Sequence, residues 1–449
     1  MRDQLPERFP FSLTDELFFH IDRPETPFSI QMEARLNTSL DLARLREAIA
    51  TAMMQHPMMR AALAPWSAKE QRYFWTLPDE MPAVPLDVTE VRNDEELERV
   101  RKRLQSTSVG LDTPPPFRCV LARHADGDYL MINTSHIASD ATGAYRFLTS
   151  VLRAYARLPD PQPELDFVEC RDLVGQFGSQ HLRERLNRVR RLMNILGSSL
   201  TPPTRIASAT TEKSDGVSIQ PLQLSEKDTQ SLQRLRLDQA TLNDVLQTLM
   251  HLTIAEWNRQ HGQKSGRISL MMPMNTRPPE RRFELASNLS LWVAVQSRKQ
   301  QRQDFVTLLP HIRQQTKLLK EHGTAGLLID LLHEIRALPL WLKQWLPNLL
   351  PLTGNRFVDS SVLHNLGRLP SPLPEGNSLQ VTEMWFSPPC RLPMGLSVGA
   401  ATFNERLHLA FRYSQHQFSR TSAQAFAGLF LEQMRAALKQ VEERPADGK

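Results

Sequence analysis

The sequence predicts an α/β protein of two parts, because helix-like and strand-like hydrophobic spacings occur in both halves of the chain. With 449 residues, the chain exceeds the size at which a single hydrophobic core stops growing. The hydrophobic spacing is interrupted between Ser198 and Gly216, where prolines stand among serine, threonine and lysine. We therefore expect an N-terminal lobe over residues 1–200, a linker over 201–216 and a C-terminal lobe over 217–449.

The N-terminal lobe begins with a predicted helix over residues 41–55, whose apolar side chains recur at helical spacing on one face. Two apolar runs, Phe117 to Arg123 and Tyr129 to Ser135, flank Asp126-Gly127, which is the strongest short hairpin signal. Apolar residues from Tyr145 to Tyr155 then predict a second helix, with residues 140–143 as the loop that leads into it.

The C-terminal lobe contains a capping-box sequence at Thr241-Leu242-Asn243-Asp244, although aspartate stands where glutamate or glutamine is usual. A helix should therefore start at Thr241. Apolar spacing predicts two strands, Ile268 to Met272 and Leu289 to Val295. It also predicts a hairpin of Leu396 to Phe403 and Arg406 to Tyr413, which turns at Asn404-Glu405. A C-terminal helix is predicted across Phe426 to Val441.

Composition excludes several classes of protein. The net charge of +5 is spread over 54 basic and 49 acidic residues, unlike the concentrated basic stripe of a nucleic-acid binder. Three separated cysteines indicate neither a disulfide framework nor a zinc cluster, and the charged, proline-containing N-terminus lacks the apolar core of a signal peptide. No run of 18 apolar residues predicts a membrane span. These observations favour a cytoplasmic protein.

A histidine and an aspartate stand four positions apart in Ser135-His136-Ile137-Ala138-Ser139-Asp140, where a predicted strand ends and a helix approaches. Such a histidine can accept a proton from an attacking hydroxyl or amine, because its ordinary pKa lies near physiological pH. The same spacing at His124 and Asp126-Gly127-Asp128 belongs to the predicted hairpin turn. From these residues alone, a hydrogen-bonded structural role for His136 also stays open.

Several segments, in their order, resemble the chloramphenicol acetyltransferase-like superfamily, which includes peptide-synthetase condensation domains, wax ester synthases and polyketide-associated acyltransferases. The pattern HHxxxDG of that superfamily is matched at Ser135, His136, Asp140 and Ala141, with serine for the first histidine and alanine for the glycine. The other similar segments are His56-Pro57-Met58-Met59-Arg60, Met272-Pro273-Met274-Asn275-Thr276-Arg277, Ser287-Asn288-Leu289 and His364-Asn365-Leu366-Gly367. The resemblance spans nearly the whole chain.

The resemblance implies two chloramphenicol acetyltransferase-like lobes, each of mixed sheets flanked by helices, with an active-site tunnel between them. It implies an acyltransferase in which His136 is the general base and no cofactor is tightly bound. The co-substrate would be an acyl thioester of coenzyme A or of the phosphopantetheine arm of an acyl carrier protein. The acceptor would be an alcohol or an amine, and we expect a monomer.

The resemblance also assigns supporting residues. It implies that Asp140 forms a structural ion pair that holds the catalytic loop, with Arg60 as the arginine. Asn288, Asn365 and Gly367 are candidates for residues that shape the substrate tunnel. No metal site is expected, since His136 and Asp140 have no third ligand at a recognisable spacing.

The roles of two amphipathic segments stay open, as do two alternative functions of the protein. Residues 179–196 read as a solvated helix or as an arginine-rich dock for a carrier protein or for coenzyme A phosphates. Residues 327–345 read as core or as a contact with lipid at the inner membrane face. The alternatives to a general acyltransferase are a condensation-type enzyme that forms amides on carrier-bound substrates, and a catalytically silent binding or scaffold protein.

Overall fold

A computed structural model shows a mixed α/β architecture of two lobes, which confirms the predicted fold class. The described residues are 7–179, 181, 183, 186–187, 190, 201–210, 214–321, 324–345, 355–356 and 358–443. Most of the predicted helix over residues 179–196 therefore lies outside the described residues. None of the described helices is long and apolar enough to span a membrane.

Each lobe contains β-strands. In chain order they are β1 (Arg8–Pro10), β2 (Ser29–Leu36), β3 (Ala62–Leu63), β4 (Phe74–Thr76), β5 (Leu86–Glu90), β6 (Phe117–Arg123), β7 (Tyr129–Ser135), β8 (Val217–Gln223), β9 (Ile268–Asn275), β10 (Ser290–Ser297), β11 (Ser361–Arg368), β12 (Val381–Ser387), β13 (Leu396–Phe403) and β14 (Arg406–Ser414).

The helices flank the two large sheets. In chain order they are α1 (Leu13–Ile21), α2 (Leu42–Gln55), α3 (Asp94–Ser106), α4 (Ala141–Tyr155), α5 (Leu173–Phe177), α6 (Glu226–Arg234), α7 (Leu242–Gln260), α8 (Phe305–Glu321), α9 (Thr324–Ile335), α10 (Leu340–Trp345) and α11 (Arg420–Glu442). Helices α2 and α4 cover the N-terminal sheet, whereas α7, α8 and α11 pack together on the C-terminal sheet.

Each large sheet is mixed. The N-terminal sheet has the strand order β12-β2-β7-β6-β5, in which β5 and β6 are parallel and the other pairs are antiparallel. The C-terminal sheet has the order β10-β9-β11-β13-β14-β8, with β11 parallel to both of its neighbours. A small antiparallel sheet, β1-β4-β3, lies beside the first. Parallel strands require a crossover connection, which helix α3 supplies between β5 and β6 and strand β12 of the other sheet supplies between β11 and β13.

Local signals in the sequence locate both hairpin turns and the helix start at Thr241. Residues 141–143, predicted as part of a loop, belong instead to helix α4, because the Asp140 side chain accepts from Gly143 N and caps the helix. The two predicted hairpins form, and the second turns at Asn404 and Glu405 with positive φ angles of 46° and 59°, as a two-residue hairpin turn requires. The capping box also forms, because Thr241 N donates to Asp244 Oδ2 at 2.8 Å and Asp244 N donates to Thr241 Oγ1 at 3.2 Å.

Strand β9 is longer than predicted, because it continues past Met272 to Asn275 through Pro273. It pairs with β10 along this length, whereas its parallel pairing with β11 involves Leu270 and Met271. A proline is tolerated where one edge of a strand has no partner strand. The extension matters for the site, since Pro273 reaches the cavity described below.

One strand crosses from the second half of the chain into the first sheet. Strand β12 pairs with β2, so the N-terminal sheet is completed by residues near position 384. The buried Arg412 on β14 adds a link between the lobes, donating to the backbone carbonyls of Ser29 at 2.8 Å and Gln105 at 3.2 Å. The division of the chain at residues 201–216 stays a prediction. Strand β12 lies after that division in the chain but belongs to the N-terminal sheet.

The crossing strand makes Gly399 on β13 a testable position. A Cβ atom there would lie 2.1 Å from the backbone oxygen of Phe386 on β12. We expect Gly399→Ala to lower the free energy of unfolding by about 1 to 3 kcal/mol, the usual cost of overpacking. Urea denaturation of the wild type and the variant measures this change in the free energy of unfolding.

The matched control is Gly428→Ala in helix α11, where an added Cβ meets nothing within 4 Å. It should raise stability by about 0.5 to 1 kcal/mol, because alanine favours the helix. Equal effects of the two substitutions would contradict the close approach of β12 and β13.

Candidate active site

His136 is the first residue after strand β7, at the start of the loop that leads into helix α4. Its backbone N–H donates to the carbonyl of Phe28 at 2.9 Å, and the N–H of Ser139 donates back to Ser135 at 3.1 Å. These bonds continue the β2–β7 ladder by one residue and then close a tight turn. The position of the histidine is therefore set by the sheet.

Two aromatic rings hold the His136 imidazole. The Phe28 ring stacks on it with an interplanar angle of 10° and a centroid distance of 5.1 Å, and the Phe18 ring lies 4.4 Å away. Nδ1 is buried without a hydrogen bond of good geometry, which leaves Nε2 as the nitrogen that faces the adjoining cavity. The ring is thus oriented by packing, with one nitrogen available for chemistry.

Burial keeps this histidine neutral. Removal from water lowers the pKa of His136 to about 4, although the nearby Asp140 carboxylate opposes the shift. Burial likewise lowers the pKa of His364, on β11, to about 3, and the proximity of His136 lowers it further. Both imidazoles are therefore uncharged at neutral pH. A neutral imidazole with a free nitrogen can act as a base.

The cavity at His136 lies between the two lobes and has a volume of about 190 Å³. Its wall is mainly apolar, and helix α1, strands β9, β10 and β11 and the segment that follows β12 all contribute. The lining residues are Leu17, Phe18, Ile21, Phe28, His136, Met271, Pro273, Ser290, Leu291, Trp292, Val358, Asp359, Val362, His364, Pro388, Pro389, Arg391 and Met394.

A second cavity lies beside the next residue of the loop. Ile137 lines it together with the end of helix α1, Trp66 and residues 109–112, and its volume is about 470 Å³. Adjacent residues of this loop therefore line two different cavities.

The Asp140 carboxylate forms a buried ion pair, but its arginine is Arg277 and not the predicted Arg60. Arg277 donates from Nη1 to Oδ2 at 2.8 Å and from Nη2 to Oδ1 at 3.2 Å. The backbone N–H groups of Gly143 and Leu289 also donate to this carboxylate, at 2.7 and 2.8 Å. Asp140 therefore caps helix α4 and binds the opposite lobe.

Asp140 pairs with Arg277 and not with Arg60 because of the direction of its side chain. As N-cap of α4 it points toward the connection between β9 and β10, which carries both Arg277 and Leu289. Arg60 ends a short 3-10 turn after helix α2, beside Met58 and Met59 of the N-terminal core. The segment that contains Arg277 was visible in the sequence, but not its pairing with Asp140.

Asp140 does not form a hydrogen-bonded catalytic triad with His136, because other donors occupy its carboxylate. The donors on Asp140 are the Arg277 guanidinium and two backbone amides, while His136 Nδ1 has no bond to it. Asp140 therefore holds the loop and does not orient the imidazole through a hydrogen bond. The structural role of Asp140 stays a prediction.

Ser135 and Ala141, which replace the first histidine and the glycine of the pattern HHxxxDG, both fit the local backbone without strain. Ala141 begins helix α4 and does not have a positive φ angle, so its backbone has no need of glycine. The close approach falls instead at Gly143, where a Cβ atom would lie 2.7 Å from the backbone oxygen of Ser287. Ser135 is buried at the end of β7.

The three predicted tunnel residues lie near the cavity but not in its wall. Asn365 Oδ1 accepts from Gly367 N at 2.8 Å, within a bulge in β11 where Gly367 has a φ of 70°. Asn288 Oδ1 accepts from the hydroxyl of Ser290, a wall residue, at 3.3 Å. Their part in a substrate tunnel stays a prediction.

Sequence reasoning missed three ionisable wall residues as site residues: His364, Asp359 and Arg391. His364 belongs to a segment that the sequence analysis noted, whereas no pattern marks the other two. Among the described residues, no group of three or more histidine, cysteine or acidic side chains could hold a metal ion.

Comparison with known proteins identifies the family. The model of the condensation domain matches residues 17–329. The chain belongs to the condensation-domain family. Proteins called uncharacterized in two strains of Mycobacterium tuberculosis, CDC 1551 and H37Rv, are each 33% identical over 426 residues, which cover 93% of this chain and 96% of theirs.

Solved structures share the condensation-domain fold at low identity. The first condensation domain of the CDA synthetase matches with a TM-score of 0.72 and 13% identity, covering 97% of this chain and 98% of that one. The epimerization domain from the third module of tyrocidine synthetase B has a TM-score of 0.68 and 13% identity, with 98% and 99% coverage.

A mutant of the starter condensation domain of rhizomide synthetase, in complex with C8-CoA and Leu-SNAC, also matches. It has a TM-score of 0.68 and 12% identity, covering 96% of this chain and 94% of that one. These likenesses show the two-lobe fold.

The Asp140–Arg277 pair generates a stability prediction. Asp140→Asn and Arg277→Met should each lower the free energy of unfolding by about 3 to 5 kcal/mol, because each leaves a buried group without its partner. The double variant should cost clearly less than the sum of the two single variants. Urea denaturation of the four proteins measures the coupling.

The control is Arg281→Met, whose partner Glu164 lies 2.6 Å away but is 71% exposed. Loss of this exposed pair should cost less than about 1 kcal/mol. Additive effects of Asp140→Asn and Arg277→Met would show that the two side chains do not act as a pair.

Proposed function

We propose that the protein is an acyltransferase that moves an acyl group from a thioester to a hydroxyl or amine acceptor. The observation that carries this proposal is the neutral imidazole of His136, with its Nε2 at the wall of a cavity between the lobes. Membership of the condensation-domain family supports the same chemistry.

In the proposed reaction, Nε2 of His136 takes the proton from the acceptor as the acceptor oxygen or nitrogen bonds to the thioester carbonyl carbon. The carbon–sulfur bond then breaks, and the leaving thiolate receives the proton from the imidazolium. The protein forms no covalent intermediate. His136 lines one cavity and the neighbouring Ile137 lines another, which suits a ternary complex with one cavity for the donor and one for the acceptor.

The donor in this proposal is an acyl thioester of coenzyme A or of the phosphopantetheine arm of a carrier protein. The rhizomide domain that shares this fold was solved with C8-CoA, which supports an acyl-coenzyme A donor. The mainly apolar cavity suits an acyl chain, since apolar side chains bury hydrocarbon without unsatisfied polar groups.

The alternative with the same fold is an enzyme that forms amides on carrier-bound substrates, which the family match favours. The acceptor decides between the two: amine-dependent thiol release means amide formation, and alcohol-dependent release means ester formation. The non-enzymatic alternative is a silent binding protein, in which His136 could be replaced without effect.

We place the protein in the cytoplasm, with contact at the inner membrane face through helix α10. Its tryptophans, Trp341 and Trp345, are 55% and 63% exposed, while Lys343 between them is buried against Glu16. Exposed tryptophans are suited to the boundary between water and lipid.

The first test is thiol release from a panel of acyl-coenzyme A and acyl-carrier thioesters, with pooled alcohols and amines as acceptors. His136→Ala should reduce acceptor-dependent release by about 100 to 10,000-fold, the usual contribution of a general base. Circular dichroism verifies that the variant is folded.

His124→Ala is the matched control, because His124 has the same spacing to an aspartate but stands beside the β6–β7 turn. It should release thiol at the wild-type rate. Turnover that persists in folded His136→Ala would overturn the assignment of the base, and no turnover across the panel would favour the binding-protein alternative.

The pH dependence gives a second test. Because burial lowers the pKa of His136 to about 4, the basic form should persist well below the ordinary histidine range. With an alcohol acceptor, kcat/KM should change less than about twofold between pH 7 and pH 5, and it should fall as the pH approaches 4. Half-maximal kcat/KM near pH 6.5 would contradict a buried, neutral base.

A further inference from the structure

Asp359 places a carboxyl group in the wall of the same apolar cavity that holds His136. It lies just before strand β11, and its side chain is largely buried, with the residue 9% exposed. The reaction proposed above makes no use of an acid at this position. Burial of a charged group is costly unless the group is paired, so this carboxyl needs an explanation.

The contacts of Asp359 leave one oxygen without a partner. Oδ1 accepts from the hydroxyl of Ser269 at 2.6 Å. Among the described residues, no hydrogen bond reaches Oδ2 and no arginine or lysine nitrogen forms an ion pair with the carboxyl group. The cavity is therefore the side from which a partner for Oδ2 would come.

Two arginines lie near Asp359, but backbone carbonyls engage them. Arg205 donates to the carbonyl oxygens of Asn355, Val358 and Asp359 at 2.6 to 3.0 Å. Arg267 donates to the carbonyl oxygens of Thr201 and Arg356 at 2.7 to 3.2 Å. These cations favour the ionised carboxylate from a distance without bonding to it.

Burial raises the pKa of Asp359 to about 6, against the opposing influence of Ser269, Arg267 and Arg205. The group is therefore mainly ionised at neutral pH. The facing imidazoles, His136 and His364, are neutral there, because burial lowers the pKa of each. A negative charge without a bonded cation remains in the cavity wall.

The ligand that suits this group is an organic cation. A protonated amine supplies both the positive charge and an N–H donor for Oδ2. A metal ion would require several oxygen ligands, and no metal-binding cluster exists among the described residues. Arg391, the other charged wall residue, donates to the carbonyl of Ile21 at 3.1 Å.

We propose that Asp359 binds a protonated amine of the substrate whose apolar body fills the cavity, while the other end of that substrate reaches His136. This inference rests on the proposed acyl transfer, since it assigns a reacting end to the substrate. Asp359 and His136 line the same cavity, so a single substrate chain can contact both. The substrate class is thus a chain with an amine at one end and a reacting group at the other.

The test measures binding in the absence of any thioester. Isothermal titration compares straight-chain ω-amino alcohols of graded length with plain alcohols of the same length, on wild type and Asp359→Asn. The amino alcohols should bind wild type about tenfold or more tightly than Asp359→Asn, because a hydrogen bond to a charged group is lost. Plain alcohols should bind both proteins equally.

The control variant is Asp126→Asn, in the exposed turn of the β6–β7 hairpin, which should bind both ligand series as wild type does. Asp359→Leu provides a second neutral side chain if the asparagine variant is unfolded. Equal binding of amino alcohols and plain alcohols by wild type overturns the proposal, as does undiminished amine binding by a folded Asp359 variant.

Binding and catalysis can fail separately. An amine preference that depends on Asp359, without any thiol release, would sustain the amine site and reject acyl transfer. Thiol release that depends on His136, without an amine preference, would sustain acyl transfer and reject the amine site.

Discussion

The ion pair between Asp140 and Arg277 is the interaction on which the site depends. It is almost completely buried, with side-chain exposures of 2% and 0%, and it joins the start of helix α4 in one lobe to the β9–β10 connection in the other. Leu289 N donates to the same carboxylate. One side chain therefore sets where the His136 loop stands relative to the cavity wall that β10 supplies. Buried ion pairs can specify one arrangement even where their net contribution to stability is small.

Burial is the second constraint, and it has opposite consequences for the two kinds of titratable group in the cavity. It favours the neutral form of each, so it lowers the pKa of His136 and raises that of Asp359. The histidine is thereby kept in the state that a base requires. The carboxyl stays ionised at neutral pH only because its raised pKa remains below 7, which makes it a selective group in a mainly apolar wall.

Much of the site could be predicted because its signals are local. The end of strand β7, the hairpin before it and the helix after it come from short-range periodicity and turn residues, and they place His136 correctly at the strand end. The partner of Asp140 could not be predicted in this way, since Arg277 is 137 residues away and the carboxylate direction is set by the cap of α4. No sequence motif marks Asp359, and its importance comes from its position in the wall of the cavity that contains His136.

The sequence by itself determined the α/β class, the two mixed lobes and the histidine at a strand end, because hydrophobic period and turn chemistry act over a few residues. Tertiary structure alone decided that β12 completes the first sheet, that Arg277 bonds Asp140, and that His136, His364 and Asp359 share one cavity. These features depend on contacts between residues far apart in the chain. Such contacts form when two apolar surfaces pack, and no local pattern encodes which surfaces will meet.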